Sequence, residues 1–230
     1  MLTPYDWQEG MGHRAGYVES KLGQGSPVLA LSLDAGILML TYRRHARKVY
    51  EIYDQLMFGA IGQQSDVEAL RVAAIDFAHQ EGFNRSEQDV TIQRVVTALS
   101  GSLKRAFGDF NTAPFVARAL FAECGDTPAE DSYYILDYDG DYTQRRGFAY
   151  CAANDESAAR LKASLAAIKT KGLTPEAASE ALKKAWVDAA QSEGDAKPTD
   201  GVYPEAVLLE RGQTHENRFR RLTADEEPEE

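Results

Sequence analysis

Hydrophobic periodicity switches four times along this 230-residue chain, from strand-like to helical, back, to helical again, and finally to strand-like. That alternation constrains the fold more than any single motif does. Pro27–Leu33 (PVLALSL) and Ile37–Thr41 (ILMLT) are apolar and strand-like, joined through the turn sequence Asp34-Ala35-Gly36. Val49–Tyr53 and Leu56–Ile61 repeat the arrangement across Asp54-Gln55. The period then lengthens. Ser65 with Glu68 three residues on forms a capping-box pattern, and Val67, Leu70, Ala74, Phe77 and Ala78 behind it share one helical face. A second helix is expected from Glu87 to Phe107, with Ile92, Val95, Val96, Leu99, Leu103 and Phe107 on its stripe. Strands are expected again at Phe115–Glu123, Tyr133–Tyr138 and Gly147–Cys151, with Asp139-Gly140 as a turn. Ala158–Lys169 and Thr174–Ala190 form a second helix pair. The latter has Thr174 as N-cap and Pro175 at the first helical position, where a missing N–H costs nothing. A polar connector, Ser192–Gly201, leads to final strands at Tyr203–Glu210 and Arg218–Leu222.

Helix pairs with long apolar stripes need a sheet to cover, and two antiparallel sheets need each other. The order of elements therefore predicts an α+β fold, a four-layer αββα sandwich with an extra N-terminal helix, His13–Leu22, closed by Gly23. Ahead of that helix, Met1–Gly12 holds Pro4, Gly10 and Gly12 and reads as an irregular arm. No linker composition interrupts 13–222, so one domain is expected, flanked by the arm 1–12 and a disordered acidic tail, 223–230.

Charge and cysteine usage narrow the function. The formal charge is −11, but Asp225, Glu226, Glu227, Glu229 and Glu230 carry five of those charges, leaving −6 on the body. An acidic body argues against nucleic acid as the main ligand, since phosphate binding needs a clustered positive field. No apolar run approaches the ~18–20 residues of a membrane span, so no membrane partner is expected. No basic-then-apolar leader opens the chain, and Cys124 and Cys151 make neither a disulfide framework nor a metal spacing, so a cytoplasmic setting is expected. His13, His45, His79 and His215 have no ligand spacing either, and no metal or other cofactor is assigned. Asp137, Asp139 and Asp141 alternate like the start of a calcium loop, but turn chemistry accounts for them.

Particular stretches sharpen the fold expectation. Arg14–Ser26 (RAGYVESKLGQGS), Lys48–Gly62 (KVYEIYDQLMFGAIG), Glu68–Gly82 (EALRVAAIDFAHQEG), Gly125–Gly140 (GDTPAEDSYYILDYDG) and Phe219-Arg220-Arg221-Leu222 together resemble the α-type subunits of bacterial proteasome core particles. Those subunits belong to the N-terminal-nucleophile hydrolase superfamily. The resemblance implies a seven-membered ring of copies of this chain, stacked on proteolytic β subunits. Such a ring gates the entry of substrate and receives a ring-shaped ATPase activator. It also implies roles for particular residues. Lys48 matches a lysine lining a pocket between neighbouring subunits, where an ammonium takes the C-terminal carboxylate of an activator tail. Gly62 matches a pocket glycine that lets the tail approach the backbone. Tyr5-Asp6 resembles the start of the Tyr-Asp-Arg cluster of α-subunit gating arms, with Trp7 in place of the arginine.

Catalysis by this chain is read as absent. The family's catalytic subunits expose a nucleophile by cleavage after a glycine, its own amine acting as base. Gly25-Ser26 could supply a serine that way, which leaves a self-processed hydrolase as the alternative reading. Pro27, however, stiffens the adjacent backbone, and the family's aspartate, sixteen residues past the nucleophile, falls on Tyr42. Lys48 aligns with the catalytic lysine but cannot replace the amine–hydroxyl pair. Arg43, Arg44, His45 and Arg47 read as a wet basic loop.

Overall fold

Both faces of the longest strands are apolar, and the computed structural model shows why. It describes residues 4–190, 199–212 and 218–222. Within these, the chain runs α1 (Pro4–Leu22), β1 (Val28–Leu33), β2 (Gly36–Arg43), β3 (Val49–Tyr53), β4 (Leu56–Gly62), α2 (Gln64–Asn84) and, after a short 3-10 turn, α3 (Ile92–Gly108). It continues with β5 (Ala117–Glu123), β6 (Ser132–Leu136), β7 (Tyr142–Arg145), β8 (Phe148–Cys151), α4 (Asp155–Ala166), α5 (Pro175–Ala190), β9 (Tyr203–Glu210) and β10 (Phe219–Arg221). One five-stranded sheet has the order β10-β9-β2-β1-β8, the other β3-β4-β5-β6-β7, and every pairing is antiparallel.

Successive residues of a strand point to opposite faces, and here each face meets a different layer. Val28 and Ala30 of β1, Ile37 and Met39 of β2, Met57 and Ile61 of β4, and Leu120 of β5 meet between the sheets. The alternate residues of β4 and β5 (Leu56, Phe58, Ala119, Phe121) pack outward under α2 and α3. Those of β1 and β2 (Leu29, Leu31, Leu38, Leu40) pack outward under α4 and α5. The four-layer αββα sandwich expected from the pattern is the architecture found. All six residues of the α3 stripe are buried, and each such side chain stabilises the fold by about 1.5–3 kcal/mol.

The N-terminal stretch is the main correction. In place of an irregular arm over 1–12, α1 is helical from Pro4, and its first turn carries Asp6, whose charge suits a helix N-terminus. The two glycines do not break it: the backbone at Gly10 lies against the Phe110 ring, where a Cβ would stand 2.8 Å from Cε1. Further along, Met11, Ala15, Val18 and Leu22 form one stripe against the inter-sheet core. Arg14 ties the same helix to the C-terminal end of α3, donating to Ala106 O (3.1 Å) and Thr112 O (2.9 Å).

Other differences are local. The Ser65–Glu68 capping box does not form. The helix begins earlier, at Gln64, because Gln63 N–H is held by Val116 O (2.8 Å) and the Asp66 carboxylate accepts Val116 N–H (2.8 Å). Glu87–Asp89 is a separate 3-10 turn rather than the start of α3. α4 starts at Asp155, capped by Asn154, whose side chain accepts Ser157 N–H at 2.9 Å. β7 is an additional edge strand, polar and exposed along its length. Residues 192–198 of the expected connector and the acidic tail, 223–230, lie outside the described residues.

Candidate functional site

The strand ends of the first sheet gather the site. Val28 of β1 is paired with Thr41 of β2, and Arg43 at the end of β2 with Tyr203 at the start of β9. Ser26, the basic loop after Arg43 and the entry to β9 therefore share one end of the molecule. A cavity of about 600 Å³ opens there, lined among others by Ser26, Arg44, His45, Lys48, Gly62 and Trp186. A neighbouring cavity of about 540 Å³ shares Ser26 and Trp186 and extends to the N-terminus of α4.

Lys48 is positioned through its backbone. Its N–H donates to the Glu205 carboxylate at 2.9 Å, and Val49 N–H donates to the other oxygen of the same group at 3.4 Å. Glu205 is 6% exposed, and burial pushes its pKa up against these two bonds. Burial likewise brings the Lys48 ammonium down to about 8, partly offset by attraction to Glu205 and reinforced by repulsion from Arg44. At neutral pH the group is still mostly cationic, and a carboxylate entering the cavity would find an under-solvated positive charge.

Gly62 borders the same space, and its own backbone demands glycine. Its φ is +139°, and a Cβ there would lie 2.0 Å from Val116 O. The glycine is required by the close approach of β4 to the chain entering β5.

Around Ser26 the backbone is pinned. Pro27 O accepts two hydrogen bonds, from Thr41 Oγ1 (2.8 Å) and Trp186 Nε1 (3.0 Å). Tyr42, at the aligned aspartate position, is buried in the outer layer with its ring centroid 4.1 Å from that of Trp186. In front of Ser26 the chain does not end but passes through Gly25, whose N–H donates to Leu22 O (2.8 Å), into a helix whose Val18 and Leu22 are fully buried.

The structure thus brings Ser26, Lys48 and Gly62 together. It does not bring Tyr5, Asp6 and Trp7 to them: these occupy the first turn of α1, at the far end of a helix about 28 Å long. Tyr5 is 74% and Trp7 49% exposed. Asp137, Asp139 and Asp141 close a turn, with Asp137 N–H on Asp141 O and Asp141 N–H on the Asp139 carboxylate. Among the described residues, no group of three or more His, Cys, Asp or Glu is arranged to hold a metal ion, and no helix is long and apolar enough to cross a membrane. Sequence reasoning missed Glu205 and Trp186. Glu205 had a signal, a carboxylate inside the otherwise apolar stretch Tyr203–Leu209.

Two antiparallel sheets stacked between helix pairs, with the first strand starting at a polar cavity, define the N-terminal-nucleophile hydrolase class of fold. Sequence comparison narrows this further. Residues 24–199 match the family model described as proteasome subunit. "Proteasome subunit alpha" of Thermobifida fusca is 29% identical over 219 residues, covering 94% of this chain and 84% of that protein. Its counterpart in Kineococcus radiotolerans is 31% identical over 232 residues, covering 97% and 95%. That from a Nocardioides strain is 31% identical over 219 residues, covering 92% and 82%. The chain belongs to the proteasome-subunit family.

Proposed function

We propose that this protein is a non-catalytic α-type subunit of a bacterial proteasome core particle. It forms a seven-membered end ring on β subunits, controls entry to their proteolytic chamber and docks a ring-shaped ATPase activator. The observation that carries the non-catalytic reading is the burial of Val18 and Leu22 ahead of Ser26. Release of a free amine at Ser26 would cut away a helix that fills the inter-sheet core, and no carboxylate stands at Tyr42 to assist. The docking reading is supported by the cavity in which Lys48 offers a partly buried ammonium beside Gly62. The gating reading rests on the exposed aromatic start of α1 at Tyr5 and Trp7, with Asp6 between them.

Co-expression with the matching β subunit is the primary test. The expected result is a barrel-shaped particle whose end rings contain this chain, seen by negative-stain imaging, in which Lys48→Ala weakens ATPase-dependent degradation but spares small-peptide hydrolysis. Equal ATPase stimulation of mutant and wild type would remove the docking assignment. Deleting residues 1–12 should speed small-peptide entry into the same particle, and an unchanged rate would refute the gate.

One observation favours a second reading: Ser26 and Lys48 line the same cavity. A hydrolase processed at Gly25-Ser26 would purify as a species beginning at Ser26, whereas the ring subunit retains residues 1–25. Intact-mass measurement separates the two.

A further inference from the structure

The cavity on the α4 side of Ser26 is walled in part by a hydroxyl with nothing to bond. Ser157 lines that cavity, of about 540 Å³, and is 6% exposed. Among the described residues its Oγ has no hydrogen-bond partner, and a buried hydroxyl left so is costly. The first turn of α4 surrounds it. Asn154 Oδ1 takes Ser157 N–H (2.9 Å) and Asn154 O takes Ala158 N–H (2.9 Å). The N–H groups of Asp155 and Glu156 are then the first-turn donors with no intrahelical acceptor, at the positive end of a 12-residue helix. This end of the cavity offers donors, so what it takes is an acceptor oxygen.

The charges choose among acceptors. Asp155 and Glu156 both lie in the first turn. Glu156 is offset by its ion pair with Arg160, while Asp155 sets a carboxylate against the partial positive charge of the helix end. An entering anion therefore meets no net positive charge, whereas a neutral carbonyl oxygen meets the same donors without repulsion. Glu156 also lines the cavity, so a ligand that pairs an acceptor oxygen with an NH₂ group can satisfy both. A carboxamide is that ligand. The cavity on the other side of Ser26 has the contrasting chemistry, with Arg44, His45 and Lys48 in its wall. The two share Gln24, Gly25, Ser26 and Trp186.

We propose that the cavity at the N-terminus of α4 is a carboxamide subsite for a glutamine or asparagine side chain. Its oxygen accepts from Ser157 Oγ and the first-turn amides, and its NH₂ donates to Glu156. The subsite itself depends on α4 alone. Its use rests on the docking reading: a peptide whose terminal carboxylate meets Lys48 passes Ser26 along the shared wall and sets a nearby side chain against Ser157. Activator tails with a carboxamide close to their end are thereby preferred.

The test has two arms on the full chain. In the first, propionamide is titrated while the backbone amide resonances of Ser157 and Ala158 are followed by NMR. Saturable shifts are expected with propionamide and not with propionate, and they should vanish in Ser157→Ala. No shift with propionamide, or equal shifts with propionate, overturns the proposal. In the second, alanine hexapeptides with a free C-terminal carboxylate carry one glutamine at the second, third or fourth position from the end. One of the three should bind about fivefold more tightly than the all-alanine peptide, the gain of one or two hydrogen bonds, and lose that gain in Ser157→Ala. Equal binding of all four peptides, or a gain that survives in Ser157→Ala, overturns the proposal. Propionamide shifts with none of the four peptides bound sustain the subsite and remove the docking reading. Binding that Lys48→Ala abolishes, with neither a propionamide shift nor a glutamine gain, does the reverse. Ser157→Ala itself should unfold at the same urea midpoint or a higher one, since it removes an unpaired hydroxyl; a lower midpoint would show that the hydroxyl is already bonded and refute the subsite.

Discussion

A methyl group at position 62 has nowhere to go. With φ at +139° and Val116 O 2.0 Å from an ideal Cβ, Gly62→Ala must separate β4 from the entry to β5. We expect a loss of about 2–3 kcal/mol in urea unfolding; a neutral substitution would show that the strands can part at no cost. Lys48 makes the opposite kind of statement, one about pH. Its amine titrates near 8 in the fold and near 10.5 in an ordinary environment. Between those values the unfolded chain holds more protons than the native one, so this residue makes stability rise with pH across the window. Lys48→Met should therefore raise the melting temperature at pH 7, with the gain shrinking from pH 8 and gone by 10.5. Docking of a carboxylate-ended peptide should weaken about tenfold per unit above pH 8 as the ammonium is lost. Lys48 was singled out through the resemblance carried by Lys48–Gly62, and by itself reads as one more cation of the basic loop. Glu205, which holds its backbone, was not assigned a role, because the pair is separated by 157 positions and only the closed sheet brings them together.

Helices declared themselves where one stripe faced one layer. α3 and α5 follow their apolar spacing closely, and Thr174 and Pro175 open α5 as their chemistry requires, with Ala177 N–H on Thr174 Oγ1 (3.3 Å). Two kinds of element escaped. β7 is polar on both faces and exists only through pairing with β6, so no periodicity marks it. The beginning of α2 is set by tethers to Val116, distant in sequence, which override the local cap. α1 combines both lessons: its glycines read as breakers, yet packing against Phe110 and the core carries the helix through them. Arg118 fastens α1 to the β6–β7 turn, reaching Glu19 (2.7 Å) and Asp137 (2.9 Å) at once. Arg118→Met should cost about 1–3 kcal/mol, less than a fully buried pair because both carboxylates keep access to water; guanidinium unfolding measures it. Removing residues 1–9, exposed at positions 5–9, should shift the melting temperature by no more than about 3 °C. Removal through Leu22 should abolish the cooperative transition.

At the scale of the molecule, the change of period from two to about 3.6 and back was enough to specify four layers, since each pattern leaves one solution for its apolar face. Assembly with other subunits is an expectation from resemblance alone, because contacts between subunits leave no periodic mark in a single chain. The basic loop was visible as composition, but only the shared direction of β2 and β10 brings Leu222 toward the Arg43 end of the sheet. The chain has two tryptophans, and the fold separates them sharply: Trp7 is half exposed on the outer end of α1, and Trp186 is buried with its indole N–H on Pro27 O. Nature has thereby installed two independent fluorescent reporters. Red-shifted emission comes from the outer reporter and responds to a neighbour covering α1, while blue-shifted emission comes from the inner one and responds to whatever enters beside Ser26, so subunit association and cleft occupancy can be followed in one cuvette without a label.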